Sequence, residues 1–345
     1  MPVPTPSFFR QRAAGRRDAG AAAVPVADVP AADVPVADMP VADSAGNWVD
    51  RWAPPAWRPY LRLSRADRPI GTWLLLLPCW WGVGLAMIAD RPRLVDLWIV
   101  IACGFGSVVM RGAGCTWNDI TDRDFDGAVA RTASRPLPSG QVTTLGALVW
   151  LGLQCAVGLA LLLTLKTGAI WLGVASLALV GIYPFAKRFT WWPQVFLGLA
   201  FNWGALLAFV AHGGTLHPAA ILLYAAGICW TLFYDTIYAH QDTEDDALIG
   251  IKSTARLFGD DSPRWLAGFA AGAVMLLAAA AASAGPDGVL ARLAVTVAVA
   301  GFALHLAWQL SQFDPRDSRG LLRLFRSNRD AGLVAALFLA VAGLV

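Results

Sequence analysis

LVDLWIVIACGFGSVVMRGAGC (94–115) runs straight into TWNDITDRDFDG (116–127). The first stretch is apolar save for Asp96 and Arg111, and it is long enough to cross a bilayer core, which takes about 20 such residues as a helix. The second crowds Asn118, Asp119, Asp122, Asp124 and Asp126 against the end of that span. Carboxylates beside lipid are costly unless something holds them there. The junction therefore predicts an integral membrane protein with an acidic site at one membrane face.

The rest of the chain agrees. Of 345 residues, 57% are hydrophobic and 15% charged, too apolar for an ordinary soluble protein of this length. Further apolar runs lie at 70–89, 143–165, 168–186, 193–211, 218–236, 264–284 and 288–310, with a shorter one at 329–345. The expectation is an all-α fold of nine transmembrane helices. Lys and Arg are biased to one side: eighteen lie at 51–68 or after the even-numbered spans, apart from four in the N-terminal tail. Only four, Arg91, Arg93, Lys166 and Arg292, lie in the opposite loops. By the positive-inside rule the N-terminus and the acidic loops are expected in the cytoplasm, at a bacterial inner membrane. Cys79, Cys103, Cys115, Cys155 and Cys229 lie in apolar runs without CxxC spacing, as buried small hydrophobes do. Membrane lipid is an expected partner and nucleic acid is not; the sequence leaves the oligomeric state open.

Residues 1–51 read differently. From Val24 the chain runs VPVAD-VPAAD-VPVAD-MPVAD, with a proline in every unit and side chains too small to build a core. A disordered low-complexity tail is expected over 1–51 and a single membrane domain over 52–345.

Asn118, Asp122 and Asp126 are spaced i, i+4, i+8 and share one face if the helix of span 2 continues through them. Like charges so placed repel and call for cations. DRDFDG (122–127) matches the start of a calcium-binding EF-hand loop, but the twelfth position, Ala133, is not the required glutamate. An oxygen site for Mg²⁺ that shares the ion with a phosphorylated ligand fits better. RTASRPLPSG (131–140) follows directly and supplies Arg131 and Arg135 for phosphate oxygens. After span 6 comes YDTIYAHQDTEDDALIGIKSTA (234–255). Asp242 and Asp246 are i, i+4, Asp235 lies seven residues earlier on the same expected face, and Lys252 and Arg256 follow. Four spans separate the two clusters, so both emerge on the same side. Two such sets can bind metal ions that clamp one diphosphate. A cation pathway is the rival reading, but the aspartates gather at span ends and not at mid-depth. Arg111 is the one charge read as lying well inside a span.

These motifs resemble those of the UbiA family of intramembrane prenyltransferases. NDITDRDFDGAVARTASRPLPSG is similar to that family's NDxxDxxxD motif and its RPLPSG extension, and the 234–255 stretch to its second, DxxxD, with IGIKSTA. RADRPIGTWLLLLP (65–78), YPFAKRFTWWPQ (183–194) and FRSNRDAGL (325–333) also resemble family segments, so the likeness covers about 58–345. The resemblance implies nine helices around a central cavity. It implies Mg²⁺-dependent transfer of a polyprenyl group from its diphosphate to the 3-position of 4-hydroxybenzoate, in ubiquinone biosynthesis. Homogentisate, dihydroxynaphthoate or a tetrapyrrole are the alternative acceptors. On this reading Asn118, Asp122, Asp126, Asp242 and Asp246 hold metal, and Arg131, Arg135, Lys187, Arg188 and Lys252 bind substrate. Arg188 is the expected partner of the acceptor carboxylate, and Asp119 or Asp235 helps remove the ring proton. Asp124 stands where many relatives carry a basic residue and is given no metal role.

Overall fold

The computed structural model describes residues 47–128, 132–248 and 250–345. The expected tail up to residue 46, and Arg131, lie outside the described residues. Among the described residues, nine helices are long and apolar enough to cross a membrane. In chain order the helices are α1 (Trp48–Trp52), α2 (Arg58–Leu63), α3 (Ile70–Ala89), α4 (Leu94–Ala128), α5 (Thr144–Leu162), α6 (Thr167–Phe189), α7 (Pro193–Gly213) and α8 (Pro218–Ala239). They continue with α9 (Thr243–Leu248), α10 (Thr254–Phe258), α11 (Ser262–Ala284), α12 (Gly288–Ser311) and α13 (Ser318–Leu344). The spans are α3 to α8 and α11 to α13.

Three boundaries differ from the sequence reading. Residues 48–51, counted with the tail on composition, belong to α1, which Asn47 caps by accepting from Val49 N at 2.8 Å and Asp50 N at 3.3 Å. The last span begins at Ser318, well before the apolar run, because its polar first turns pack on the rest of the bundle, with Leu321, Leu324 and Asn328 buried. The second acidic motif is not one helix: α8 stops at Ala239, and a 3₁₀ turn, His240–Asp242, separates it from α9.

The core is built around α3, which packs on α4, α7, α8, α11 and α13. Trp81 of α3 stacks on Trp230 of α8 at 4.8 Å, and Phe302 of α12 closes edge-on against both. Both indoles are fully buried, so their N–H groups require acceptors. Trp81 Nε1 donates to Gly332 O at 2.8 Å, and Trp230 Nε1 to Asn328 Oδ1 at 2.8 Å. Asn328 in turn exchanges hydrogen bonds with Gln309. Small residues let the backbones meet, as is usual where lipid supplies no hydrophobic drive between helices. A Cβ added at Gly82 would sit 2.5 Å from Ala205 O, and one at Gly332 would sit 2.5 Å from Leu77 Cδ1.

At the membrane face away from the acidic motifs, two of the four basic residues that run against the positive-inside bias have a structural employment. Arg93 Nη1 donates to His212 O at 3.0 Å and Lys166 Nζ donates to the same oxygen, so both complement the C-terminal end of α7. His212 itself is buried and pairs through Nδ1 with Asp96 Oδ1 at 2.6 Å.

Candidate active site

The helix of span 2 continues through the first motif to Ala128, so Asn118, Asp122 and Asp126 do share a face, and Asn118 Nδ2 donates to Asp122 Oδ2 at 3.1 Å. Asp122 is 1% exposed and collects two cations from the end of α6. Lys187 Nζ lies 2.5 Å from its Oδ2, and Arg188 Nη2 lies 3.2 Å from its Oδ1. Arg188 also donates to Thr121 O at 2.8 Å. Asp119 is fully buried; its Oδ1 accepts from Arg65 Nη2 at 2.6 Å and has Arg135 Nη1 at 3.7 Å. Among the described residues, its Oδ2 has no hydrogen-bond partner. Arg135 reaches onward to Asp126 Oδ2 at 2.7 Å, placing RPLPSG over the motif. Burial pushes the Asp126 carboxyl above its ordinary range; Arg135 opposes this, while Asp119 and Asp122 add to it. Burial alone would make Arg65 easier to deprotonate, yet Asp119 beside it turns the balance the other way and keeps it charged. Arg65 takes a left-handed backbone, φ 55°, because it follows the end of α2 as the turning residue of a Schellman cap, with Ala66 N donating to Leu61 O and Arg65 N to Arg62 O. Asp124 is exposed and pairs with its neighbour Arg123 at 3.2 Å.

The second motif is tied to the same place through residues 187–191. Lys252 N donates to Lys187 O at 3.3 Å, and Lys252 Nζ to Phe189 O at 3.4 Å. Lys252 and Arg256 both lie over the Trp191 ring, at 6.0 and 5.4 Å. Arg256 Nη1 donates to Asp246 O at 3.2 Å, and Ile251 N to the same oxygen at 2.9 Å. Lys187 therefore touches Asp122 with its side chain and the Asp246 loop with its backbone. The two acidic motifs lie on one side and are joined by the end of α6. Asp242 and Asp246 are half-buried, as is Asp235 near the end of α8.

Below this cap lies a cavity of about 550 Å³. Its polar end is lined by Arg65, Asn118, Asp119 and Arg135, and its depth by Tyr183, Phe201 and Arg111 among others. The Arg111 guanidinium lies over the Phe201 ring at 5.3 Å, and among the described residues its Nε makes no hydrogen bond. Arg188, expected from sequence to meet an acceptor carboxylate, does not line this cavity; it is held against Asp122. The signal for Arg111 was available, since an arginine inside an apolar span marks a functional site by default. Arg65 gave none, because its reach to Asp119 depends on a backbone turn.

Among the described residues, no three His, Cys, Asp or Glu side chains gather closely enough to hold a metal ion unaided. The donor set still fits Mg²⁺. It consists of hard oxygens, with Asn118, Asp122 and Asp126 on one face of α4, and Mg²⁺ takes one or two carboxylates and completes its shell with phosphate and water.

Residues 75–342 match the model of the UbiA prenyltransferase family. The chain is 48% identical over 293 residues to a 4-hydroxybenzoate polyprenyltransferase, mitochondrial, of Bos taurus (85% of this chain, 77% of the relative). It is 42% identical to that of Homo sapiens (98% and 88%) and 45% to that of Arabidopsis thaliana (84% and 69%). Among solved structures, the apo UbiA homologue of Aeropyrum pernix K1 superposes with a TM-score of 0.62 at 26% identity, over 78% of this chain and 96% of that one. A UbiA homologue of Archaeoglobus fulgidus bound to GPP and Mg²⁺ superposes at 0.59 and 22% identity, over 82% and 98%. The relatives are named as mitochondrial proteins, which overturns the expected bacterial inner membrane with its cytoplasmic loops. A count of basic residues says which loops share a membrane face, but it cannot say which membrane they face. The nine spans, the doubled acidic cap and a family match over most of the length have one reading: the chain belongs to the UbiA prenyltransferase family.

Proposed function

We propose that the protein transfers a polyprenyl group from its diphosphate to the ring of 4-hydroxybenzoate, at the carbon ortho to the hydroxyl, with Mg²⁺. One observation carries the reading most: an acidic and basic cap closes one end of a cavity whose mostly apolar depth carries a single charge, Arg111. A diphosphate head suits the cap, and a small aromatic acid suits an arginine-bearing pocket. The name shared by the relatives supports the same acceptor.

Asn118, Asp122, Asp126, Asp242 and Asp246 are the residues that would hold Mg²⁺, the ion that accompanies GPP in the Archaeoglobus homologue. When bound, the ion neutralises charge on the leaving diphosphate. Lys187, Arg188, Lys252 and Arg135 surround the same position and donate to diphosphate oxygens as charge develops; Arg131 is assigned with them from its motif alone. Arg65 fixes Asp119, so that Oδ2 can accept the proton lost by the acceptor ring, with Asp235 as the alternative. Arg111 pairs with the acceptor carboxylate, and its placement in the cavity favours it over Arg188 for this role. Phe201 and Tyr183 present aromatic surface to the allylic cation and exclude water from it.

The test is an acceptor panel. Protein purified in detergent is given labelled geranyl diphosphate with 4-hydroxybenzoate, homogentisate or dihydroxynaphthoate. Labelled product is expected with 4-hydroxybenzoate, and only when Mg²⁺ is present. Preference for another acceptor, or release of diphosphate indifferent to acceptor, would refute the assignment.

A further inference from the structure

The first turns of the last span carry more positive charge than the fold uses. The buried side of these turns of α13, with Gly320, Leu321, Leu324 and Asn328, packs on the bundle. That side also rests on the second acidic motif: Phe325 packs on Tyr238 at 4.4 Å, and Phe313 of the preceding loop lies against His240 at 5.2 Å. The outer side carries Arg319, Arg323 and Arg326, spaced i, i+4, i+7 on one face, with Arg316 just before the helix; all four are exposed. Among the described residues, their guanidinium groups make no ion pair or hydrogen bond. Asp330 pairs instead with Arg329 at 2.8 Å, and Asp314 Oδ1 accepts from the backbone N of Arg316 at 2.9 Å. Topology asks for basic residues in this loop, but it does not ask for unpaired arginines aligned along one face. Their depth is set by α12. His305 Nε2 meets Ser327 Oγ at 3.2 Å, and Trp308, one turn further out, is exposed, as an indole at the membrane interface is. Arg323 and Arg326 therefore lie level with the lipid phosphates, and Arg316 and Arg319 just outside them.

We propose that this arginine stripe is a binding site for anionic phospholipid headgroups, at the membrane face that holds the acidic motifs. A guanidinium group matches two phosphate oxygens at once, and the long stem of an arginine lies along apolar surface while its head reaches the headgroup layer. The stripe starts at the N-terminal end of α13, where the helix dipole adds to the positive charge. Among the described residues, no large hydrophobic side chain is exposed between 309 and 336. The stripe thus lacks the apolar centre on which a protein interface is built, and a layer of lipid phosphates needs none. A lipid held here braces the outer side of the segment whose inner side supports the turn at His240.

The experiment uses the full chain in phosphatidylcholine vesicles with a trace of spin-labelled phosphatidylglycerol or of spin-labelled phosphatidylcholine. The motionally restricted fraction of each spectrum gives the relative association of the two lipids with the protein. The parent protein is expected to prefer the anionic lipid about fivefold or more, the factor that one arginine near an anionic surface supplies. Salt at about 1 M, where charges are screened beyond about 3 Å, should remove most of that preference. Arg316→Gln, Arg319→Gln, Arg323→Gln and Arg326→Gln combined should lower it about fivefold, to near equality of the two lipids. Arg264→Gln removes an exposed arginine that pairs with Asp261 at the same membrane face, and it should leave the preference unchanged. If the combined variant fails to insert, Arg319→Gln with Arg323→Gln replaces it, and the preference should still fall by about half or more. A parent protein that binds both lipids equally overturns the proposal and leaves an acidic protein surface as the occupant. A preference that the stripe variants keep, or that Arg264→Gln lowers as far, overturns it as well.

Discussion

Arg111 and Arg188 divide the charge work of the site between its depth and its rim. Arg188 is spent on Asp122 and Thr121 O at the rim, whereas Arg111 lines the cavity and lies over the Phe201 ring. A hydrogen-bonded charge pair contributes about 1.5–3 kcal/mol, so losing the pairing of Arg111 with a carboxylate should weaken acceptor binding by about tenfold or more. In steady-state kinetics with both substrates varied, Arg111→Ala is expected to raise the KM for 4-hydroxybenzoate and leave that for the diphosphate much less changed. Arg188→Ala is expected to do the reverse. The opposite pattern would return the carboxylate to Arg188. The sequence reading gave the carboxylate to Arg188 and left Arg111 without that role, because the spacing along α4 and α6 does not say which side chain turns inward.

At the scale of helices, small residues decide how closely spans approach. Gly332 of α13 lies against Leu77 and Trp230; an added Cβ would be 2.5 and 2.9 Å from their side chains. Gly332→Val should lower the thermal unfolding temperature in detergent, at a cost of about 1–3 kcal/mol for overpacking. Gly268 of α11 faces open space, and Gly268→Ala should be neutral or slightly stabilising, since alanine is the better helix former. Equal melting of both variants would show that the α3–α13 seam is looser than described. The spans themselves were legible because a bilayer imposes a length on apolar runs. The end of α4 was legible because i, i+4 carboxylates make sense only on a helix. The break at His240–Asp242 and the early start of α13 were not, since both depend on packing between distant segments, and periodicity carries no record of that.

For the molecule as a whole, the cap draws on elements far apart in sequence: the segment before α3, the end of α4, the end of α6 and the loop after α8. A ligand that engages them together should stabilise the entire bundle, because it binds the folded form and has no such site on the unfolded chain. Inorganic pyrophosphate with Mg²⁺ is the simplest such ligand, having the head and no tail. At about 100 times its dissociation constant it would add about 2.7 kcal/mol, enough to move the melting transition visibly. The expected result is an upward shift that needs both components and vanishes on chelation. Asp122→Asn should abolish the shift, on top of a lower unliganded melt because Lys187 and Arg188 lose their buried partner. Asp122 is the fitting probe because it meets α4 and α6 at one carboxylate, through Asn118, Lys187 and Arg188. If pyrophosphate stabilised the protein equally without Mg²⁺, the lysines and arginines would suffice to hold the head, and the carboxylates would have to serve some purpose other than metal binding.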